Sequence, residues 1–135
     1  MKEKNKFKKY SAEVRDVNFG ENVTIIEPVN LYSCTLKDKV FVGPFVEIQK
    51  NVVIGERTKI QSHSFICELV EIGADCTISH GVMFINDKFI SGGPARGDKQ
   101  KWLKTIIQDN VHIGTNSTIL PVTFAEAIGL TIFLV

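Results

Sequence analysis

The chain has 135 residues, 44% of them hydrophobic and 23% charged, with a formal net charge of +1. That length suits one domain, and so even a balance of charge carries no electrostatic footprint for nucleic acid. Three cysteines, Cys34, Cys67 and Cys76, form neither a CxxC pair nor an even set, which argues against a disulfide framework or a zinc knuckle and fits a reducing cytoplasm.

Residues 1–10 carry Lys2, Lys4, Lys6, Lys8 and Lys9 among Glu3 and Asn5, and read as a solvated, disordered terminus rather than a membrane or nucleic-acid contact. No apolar stretch follows that would mark a secretion signal. From residue 11 to 123 a six-residue beat governs the chain. Phe19, Ile25 and Leu31 step by six, a five-residue step gives Leu36, and an unbroken run follows: Val42, Ile48, Ile54, Ile60, Ile66, Ile72, Ile78 and Phe84. Four residues after each of the first seven members of that run sits a small or β-branched residue: Val46, Val52, Thr58, Ser64, Val70, Cys76, Val82.

A helix of period 3.6 and a strand of period 2 do not need this beat, so the period predicts a stacked architecture. Each hexad is expected to form a short extended segment and a turn, with position one inside and position five filling a corner. Gly43, Gly55 and Gly73, at position two, are expected to supply tight turning or positive φ. Three segments close a triangular coil, and coils stack at about 4.8 Å. Fifteen position-one residues predict an all-β parallel solenoid of about five coils, with Cys76 a small buried hydrophobe.

The stretch 85–105 breaks the beat and holds Gly92, Gly93, Pro94 and Gly97, so it predicts a loop leaving the stack. The beat returns at Ile107, Ile113 and Ile119. If Phe84 and Ile107 lie on successive sides, the hexads beginning at Val42, Ile60, Ile78 and Ile113 share a face. Position four then places Phe45, His63, Gly81 and Asn116 up one corner, and position three places Pro44, Ser62, His80 and Thr115 beside them. His63 and His80 thus meet one coil apart, a candidate catalytic pair next to the loop. Residues 124–135 are atypical. Phe124 and Leu130 would continue the beat after one five-residue step, but the turn signals are absent, and a truncated or frame-shifted end lacking the last coils is expected. The segment is too short for a transmembrane helix.

The hexads resemble the hexapeptide-repeat acyltransferases, whose fold is a left-handed parallel β-helix; the handedness is implied by that resemblance alone. The run IQSHSFICELVEIGADCTISHGVMFINDKF, with GGPARGDKQKW after it, is similar to the branch that N-acetylates amino sugars on nucleotides. The resemblance implies a cytoplasmic homotrimer with active sites in the grooves between subunits, acetyl-CoA or another acyl-CoA as cosubstrate, and a nucleotide-linked amino-deoxy sugar for surface polysaccharide as acceptor. It implies no metal, nucleic-acid or membrane partner. Carried over, it makes His63 the base or amine-positioning group, His80 its support, Asn86 and Asp87 part of the aminosugar pocket, and Gly81, Thr115 and Asn116 the pantetheine track. Backbone N–H groups near Gly81 are expected to face the oxyanion. Arg96, Lys99, Lys101 and Trp102 have the chemistry to meet a diphosphate and stack on a base.

Two other readings compete. A zinc enzyme of the γ-carbonic anhydrase class shares this fold, but His63, His80 and His112 lack that class's close pair, and His112 precedes inward Ile113 on a different edge. A non-catalytic or weakly active β-helix scaffold is the other, and the atypical C-terminus favours it.

Overall fold

An inward aliphatic residue at every sixth position folds the chain into three flat sides. The computed structural model describes residues 6–121 and the backbone of 124–125 and 131–132. Lys2 and Lys4 of the basic segment, and Leu130, lie outside the described residues. The first sheet stacks Val14–Arg15, Asn30–Tyr32, Glu47–Ile48, Phe65–Ile66, Met83–Phe84 and Thr118–Ile119. The second stacks Asn18–Phe19, Thr35–Leu36, Val53–Ile54, Val70–Ile72, Thr105–Ile107 and Phe124–Ala125. The third stacks Thr24–Ile25, Phe41–Val42, Lys59–Ile60, Thr77–Ile78, His112–Ile113 and Thr131–Ile132. Every pairing is parallel, which makes a three-sided β-solenoid consistent with a left-handed β-helix.

Val42, Ile60, Ile78 and Ile113 pair in succession in the third sheet, so the face counted through the loop is the face that forms. The beat after Ile119 runs differently from expectation. Ala125, not Phe124, pairs with inward Ile107, and Ile132 pairs with Ile113. One more strand than the beat predicts, Val14–Arg15, precedes it and joins the first sheet.

Leu31, Leu36, Val42, Ile48, Ile54, Ile60, Ile66, Ile78 and Phe84 are wholly buried, each contributing about 1.5–3 kcal/mol of hydrophobic stabilisation. Phe19 departs from the pattern at 50% exposure, because its strand is the last of its sheet and has a neighbour on one side only. At position five, Val46, Val52, Val70 and Val82 fill the corners. Polar members there are satisfied: Thr58 Oγ1 donates to Gly73 O (2.7 Å) and accepts from Cys76 N–H (3.0 Å), while Ser64 Oγ donates to Ser79 O (2.8 Å).

The turning residue is position four, not position two. Phe45, Asn51, Arg57, His63, Leu69, Asp75, Gly81 and Asn116 all have φ between 56 and 71°. A non-glycine residue in this left-handed region costs about 1–2 kcal/mol. The position-two glycines serve close approach instead. A Cβ on Gly43 would come 2.9 Å from Ser62 N, and one on Gly55 would come 2.5 Å from Ala74 N in the next coil. At Gly73 it would come 2.7 Å from Asp109 N.

The excursion leaves after Phe84 and returns at Thr105. It contains one short 3-10 turn, Lys99–Lys101, capped by the Asp98 carboxylate, which accepts from Gln100 N–H (3.2 Å). Among the described residues no helix is long and apolar enough to cross a membrane.

Two outcomes follow from this packing. Gly55→Ala should destabilise by about 3 kcal/mol, the upper end for overpacking, whereas Gly93→Ala, with open space around it, should leave the melting temperature within about 2 °C of wild type. Thermal melts of both variants check the contrast. Burial raises all three thiol pKa values, Cys34 to about 11 and Cys67 to about 12. A thiol whose pKa is higher folded than unfolded adds stability that is fully present below its unfolded value, near 9.0, and is lost as pH rises through the folded one. Stability should therefore fall between about pH 9 and 12, and thiol reagents at pH 8 should react about 100-fold more slowly with native than with urea-unfolded protein. Urea melts across pH and a timed thiol titration measure the two effects.

Candidate functional site

The corner joining the third sheet to the first is built by a backbone ladder. Phe45 N–H donates to Pro28 O (2.7 Å), His63 N–H to Pro44 O (3.2 Å), Gly81 N–H to Ser62 O (3.0 Å) and Asn116 N–H to His80 O (3.0 Å). The last three of these bonds tie position four of one coil to position three of the coil before it, and the Phe45 bond reaches position four of the coil before, so the side chains at these positions form a column. The rings of Phe45 and His63 lie 4.9 Å apart, tilted by 31°. Above them Gly81 leaves a gap that Asn116 enters, since a Cβ on Gly81 would stand 2.5 Å from Asn116 Oδ1. His63, His80, Thr115 and Asn116 are all exposed. The structure thus brings His63, His80, Gly81, Thr115 and Asn116 together. Of the backbone N–H groups near Gly81, that of Gly81 itself is committed to Ser62 O.

The remaining predicted residues lie at the opposite edge of the first sheet. Asn86 is buried, its side-chain amide donating to Glu68 O (3.0 Å) and its backbone carbonyl accepting from Leu103 N–H (2.9 Å). Asp87 accepts from Phe89 N–H (3.0 Å) with one oxygen and from Ala95 N–H (2.8 Å) with the other. Both residues therefore fasten the loop. Lys99 holds Glu68 at 3.0 and 3.2 Å and lies 5.4 Å from the centre of the Trp102 ring. Arg96 is exposed at the loop's outer part, in the left-handed region at φ 52°. Under the loop opens a cleft of about 370 Å³ lined by Gln49, Phe65, Cys67, Asn86, Phe89 and Trp102 among others.

Between the two edges the outward residues of the first sheet are Glu47, Phe65, Met83 and Thr118. Phe65 follows His63 by two residues and also lines the cleft, so it connects the two halves. Cys67 lines the cleft too, but burial pushes its thiol up to about 12, leaving no thiolate nucleophile near neutral pH. His112 stands on the outer face of the third sheet, apart from the corner histidines. Among the described residues no three His, Cys, Asp or Glu side chains converge as a metal ligand set.

Sequence reasoning gave Phe45 no role, although its place in the column with His63 was readable from the phase. It also missed Lys50 and Glu68. These occupy position three of successive hexads of the first sheet, below Asn86, so the same phase count places all three on one edge.

Residues 33–68 match the family model for the bacterial transferase hexapeptide (six repeats). The chain is 30% identical over 118 residues to the bifunctional protein GlmU of Clostridioides difficile, covering 86% of this chain and 23% of that relative. It is 29% identical over 122 residues to the bifunctional protein GlmU of Clostridium beijerinckii, with coverage of 86% and 23%. To the same-named protein of Alkaliphilus metalliredigens it is 36% identical over 89 residues, covering 65% of this chain and 17% of the relative. The chain therefore spans less than a quarter of the length of these relatives. The likeness to the bacterial transferase hexapeptide rests on residues 33–68, within the three-sided stack that the six-residue repeat builds.

Proposed function

We propose that the protein is a CoA-dependent N-acyltransferase, with acetyl-CoA or another acyl-CoA as donor and the amino group of a nucleotide-linked amino-deoxy sugar as acceptor. The match to a transferase repeat supports group transfer, and the resemblance of the HGVMFIND run and the GGPARG loop to aminosugar N-acetyltransferases supports an amine as acceptor. The observation that carries the reading is the corner column. It holds His63 by its backbone and against the Phe45 ring, and the exposed Asn116 amide, two coils away, reaches back into the gap at Gly81.

The thioester supplies an already activated carbonyl. The amine nitrogen forms the new C–N bond as the C–S bond breaks, and the proton lost by the amine passes through His63 to the departing thiolate. Imidazole suits that transfer because it is the side chain that changes charge near neutrality. His80, one coil away on the same corner, supports the acceptor. The Asn116 amide offers an N–H to the carbonyl oxygen in place of the occupied Gly81 N–H. Thr115 and Asn116 expose a hydroxyl and an amide suited to the amides of a pantetheine arm, and Gly81 leaves the room that the Asn116 amide enters. Asn86 and Asp87 shape the pocket by fixing the loop, while Trp102 and Arg96 face the nucleotide part. Phe45, 57% exposed, and Met83, 40% exposed, flank the corner with apolar surface that assembly into a homotrimer would cover.

A thiol-release assay with acetyl-CoA against a panel of nucleotide-linked amino sugars, run beside a mass measurement of the assembly, tests the reading. His63→Ala should lower kcat about 100-fold and abolish the acidic limb of the pH profile, with the melting temperature unchanged. Wild-type turnover by that variant from about pH 6 to 9 would remove His63 from the role of base. Failure of every sugar nucleotide in the panel to release thiol would overturn the function.

A further inference from the structure

We propose that Lys50 is a modification site, an amine that takes an acyl group from a thioester faster than an ordinary exposed lysine does. The inference stands on the ion cluster at the edge of the first sheet and needs neither bound CoA nor the transferase reading. Lys50 comes from a coil of the stack and Lys99 from the loop, and both converge on one carboxylate, that of Glu68. They do not share it equally. Lys99 Nζ reaches both oxygens, at 3.0 and 3.2 Å, whereas Lys50 Nζ stands 3.9 Å from Oε1. Glu68 exposes only 13% of its side chain and Lys50 exposes 44%, so the amine and not the carboxylate is open to a reagent.

Two cations against one carboxylate leave one proton poorly held, and the distances put it on Lys50. The hydrogen bond with Lys99 holds the Lys50 pKa below the ordinary lysine value, against the opposite pull of Glu68, and the same bond raises Lys99. Tyr32, on the coil before, also faces Glu68 and Lys99; its hydroxyl is pushed up by burial first, then by Glu47 and Glu68, so it stays neutral and adds no charge. A lysine beside a second cation is an activated nucleophile, because more of it is unprotonated near neutrality and only the free amine attacks. The step is an aminolysis. The lone pair of Lys50 Nζ attacks the thioester carbonyl carbon, the C–N bond forms as the C–S bond breaks, and the proton left on nitrogen goes to the departing thiolate. The products are an amide and a free thiol. The amide is neutral, so one cation leaves the cluster and Lys99 keeps Glu68 without a competitor.

The full chain is incubated with the acetyl thioester of N-acetylcysteamine, which lacks the nucleotide of CoA, and acetylation of each lysine is followed in time by peptide mass spectrometry. Near neutral pH, Lys50 should react at least about threefold faster than Lys59, an exposed lysine on the outer face of the third sheet, and its rate should level off at a lower pH. Lys99→Met leaves Lys50 alone with Glu68 and should bring its rate down to that of Lys59. Lys99→Arg keeps a cation there and should retain the fast rate, while Glu68→Gln, which leaves the two cations without their carboxylate, should raise it. Lys99→Met is the decisive variant, because Lys99 lies on the loop with 51% of its side chain exposed and its replacement leaves the core of the stack intact. Equal rates at Lys50 and Lys59, or a Lys50 rate that Lys99→Met does not change, would overturn the site, since exposure alone would then account for the labelling. The probe carries no nucleotide and no acceptor sugar is present, so failure of the transferase reading leaves this result untouched.

Discussion

The hydrogen bond from a corner N–H to a carbonyl one coil away is the constraint on which the rest of the molecule depends. A coil that turns sharply has to put a residue in the left-handed region, at a cost of about 1–2 kcal/mol for anything but glycine. At Asn51, Arg57 and Asp75 the bond is 2.8–2.9 Å long, and it recurs at the corner of His63. Each such bond contributes about 1 kcal/mol, offsetting much of the strain, and the inward aliphatic that follows supplies the surplus. The corner residue then has no freedom to slide. Its side chain projects outward at a height fixed by the stack, which is why a corner can carry a site.

That rigidity also explains the chemistry of the corner column. Phe45, His63 and Asn116 stand in strained backbone with their N–H groups engaged, so their side chains alone are left to meet a ligand. Gly81 breaks the column where Asn116 needs room. A column of four ordinary side chains would crowd the corner, whereas the missing Cβ lets the Asn116 amide reach back toward the imidazole. The same argument explains the position-two glycines. There the neighbouring backbone, rather than a side chain, occupies the space.

The hexad beat made the fold legible from Val42 to Phe84, because burial at position one is non-negotiable in a triangular core and leaves a periodic trace. Phase alone also placed His63, His80, Gly81 and Asn116 on one corner across a loop of unknown length in coils. What could not be read was anything decided between coils. Gly55 looks like a turn former in sequence, and only its distance to the next coil reveals a packing role. Asn86 and Asp87 looked like ligand groups because they are polar and adjacent to the loop, yet the Asn86 amide donates to the Glu68 carbonyl of the stack and the Asp87 carboxylate accepts from two backbone N–H groups of the loop. Lys99 pairs with Glu68 across the loop, and although the phase count places Glu68 on this edge, no pattern in the loop announces which lysine reaches it.

The separation of the two edges constrains what the face accommodates. His63 and Glu68 are five residues apart along an extended side of the triangle, at most about 16 Å. A small amine bound at His63 would leave the aromatic cleft unused, and a base bound in the cleft would leave the corner unused. A ligand that engages both has to be extended, with its reactive amine at one end and its base at the other, lying over Phe65 and Met83. The apolar character of that bridge argues for a weakly hydrated middle segment, which the ring of a deoxy sugar offers and a free polyphosphate does not. In the proposed transferase, imidazole at one edge and the aromatic cleft at the other would favour an extended, amphipathic acceptor.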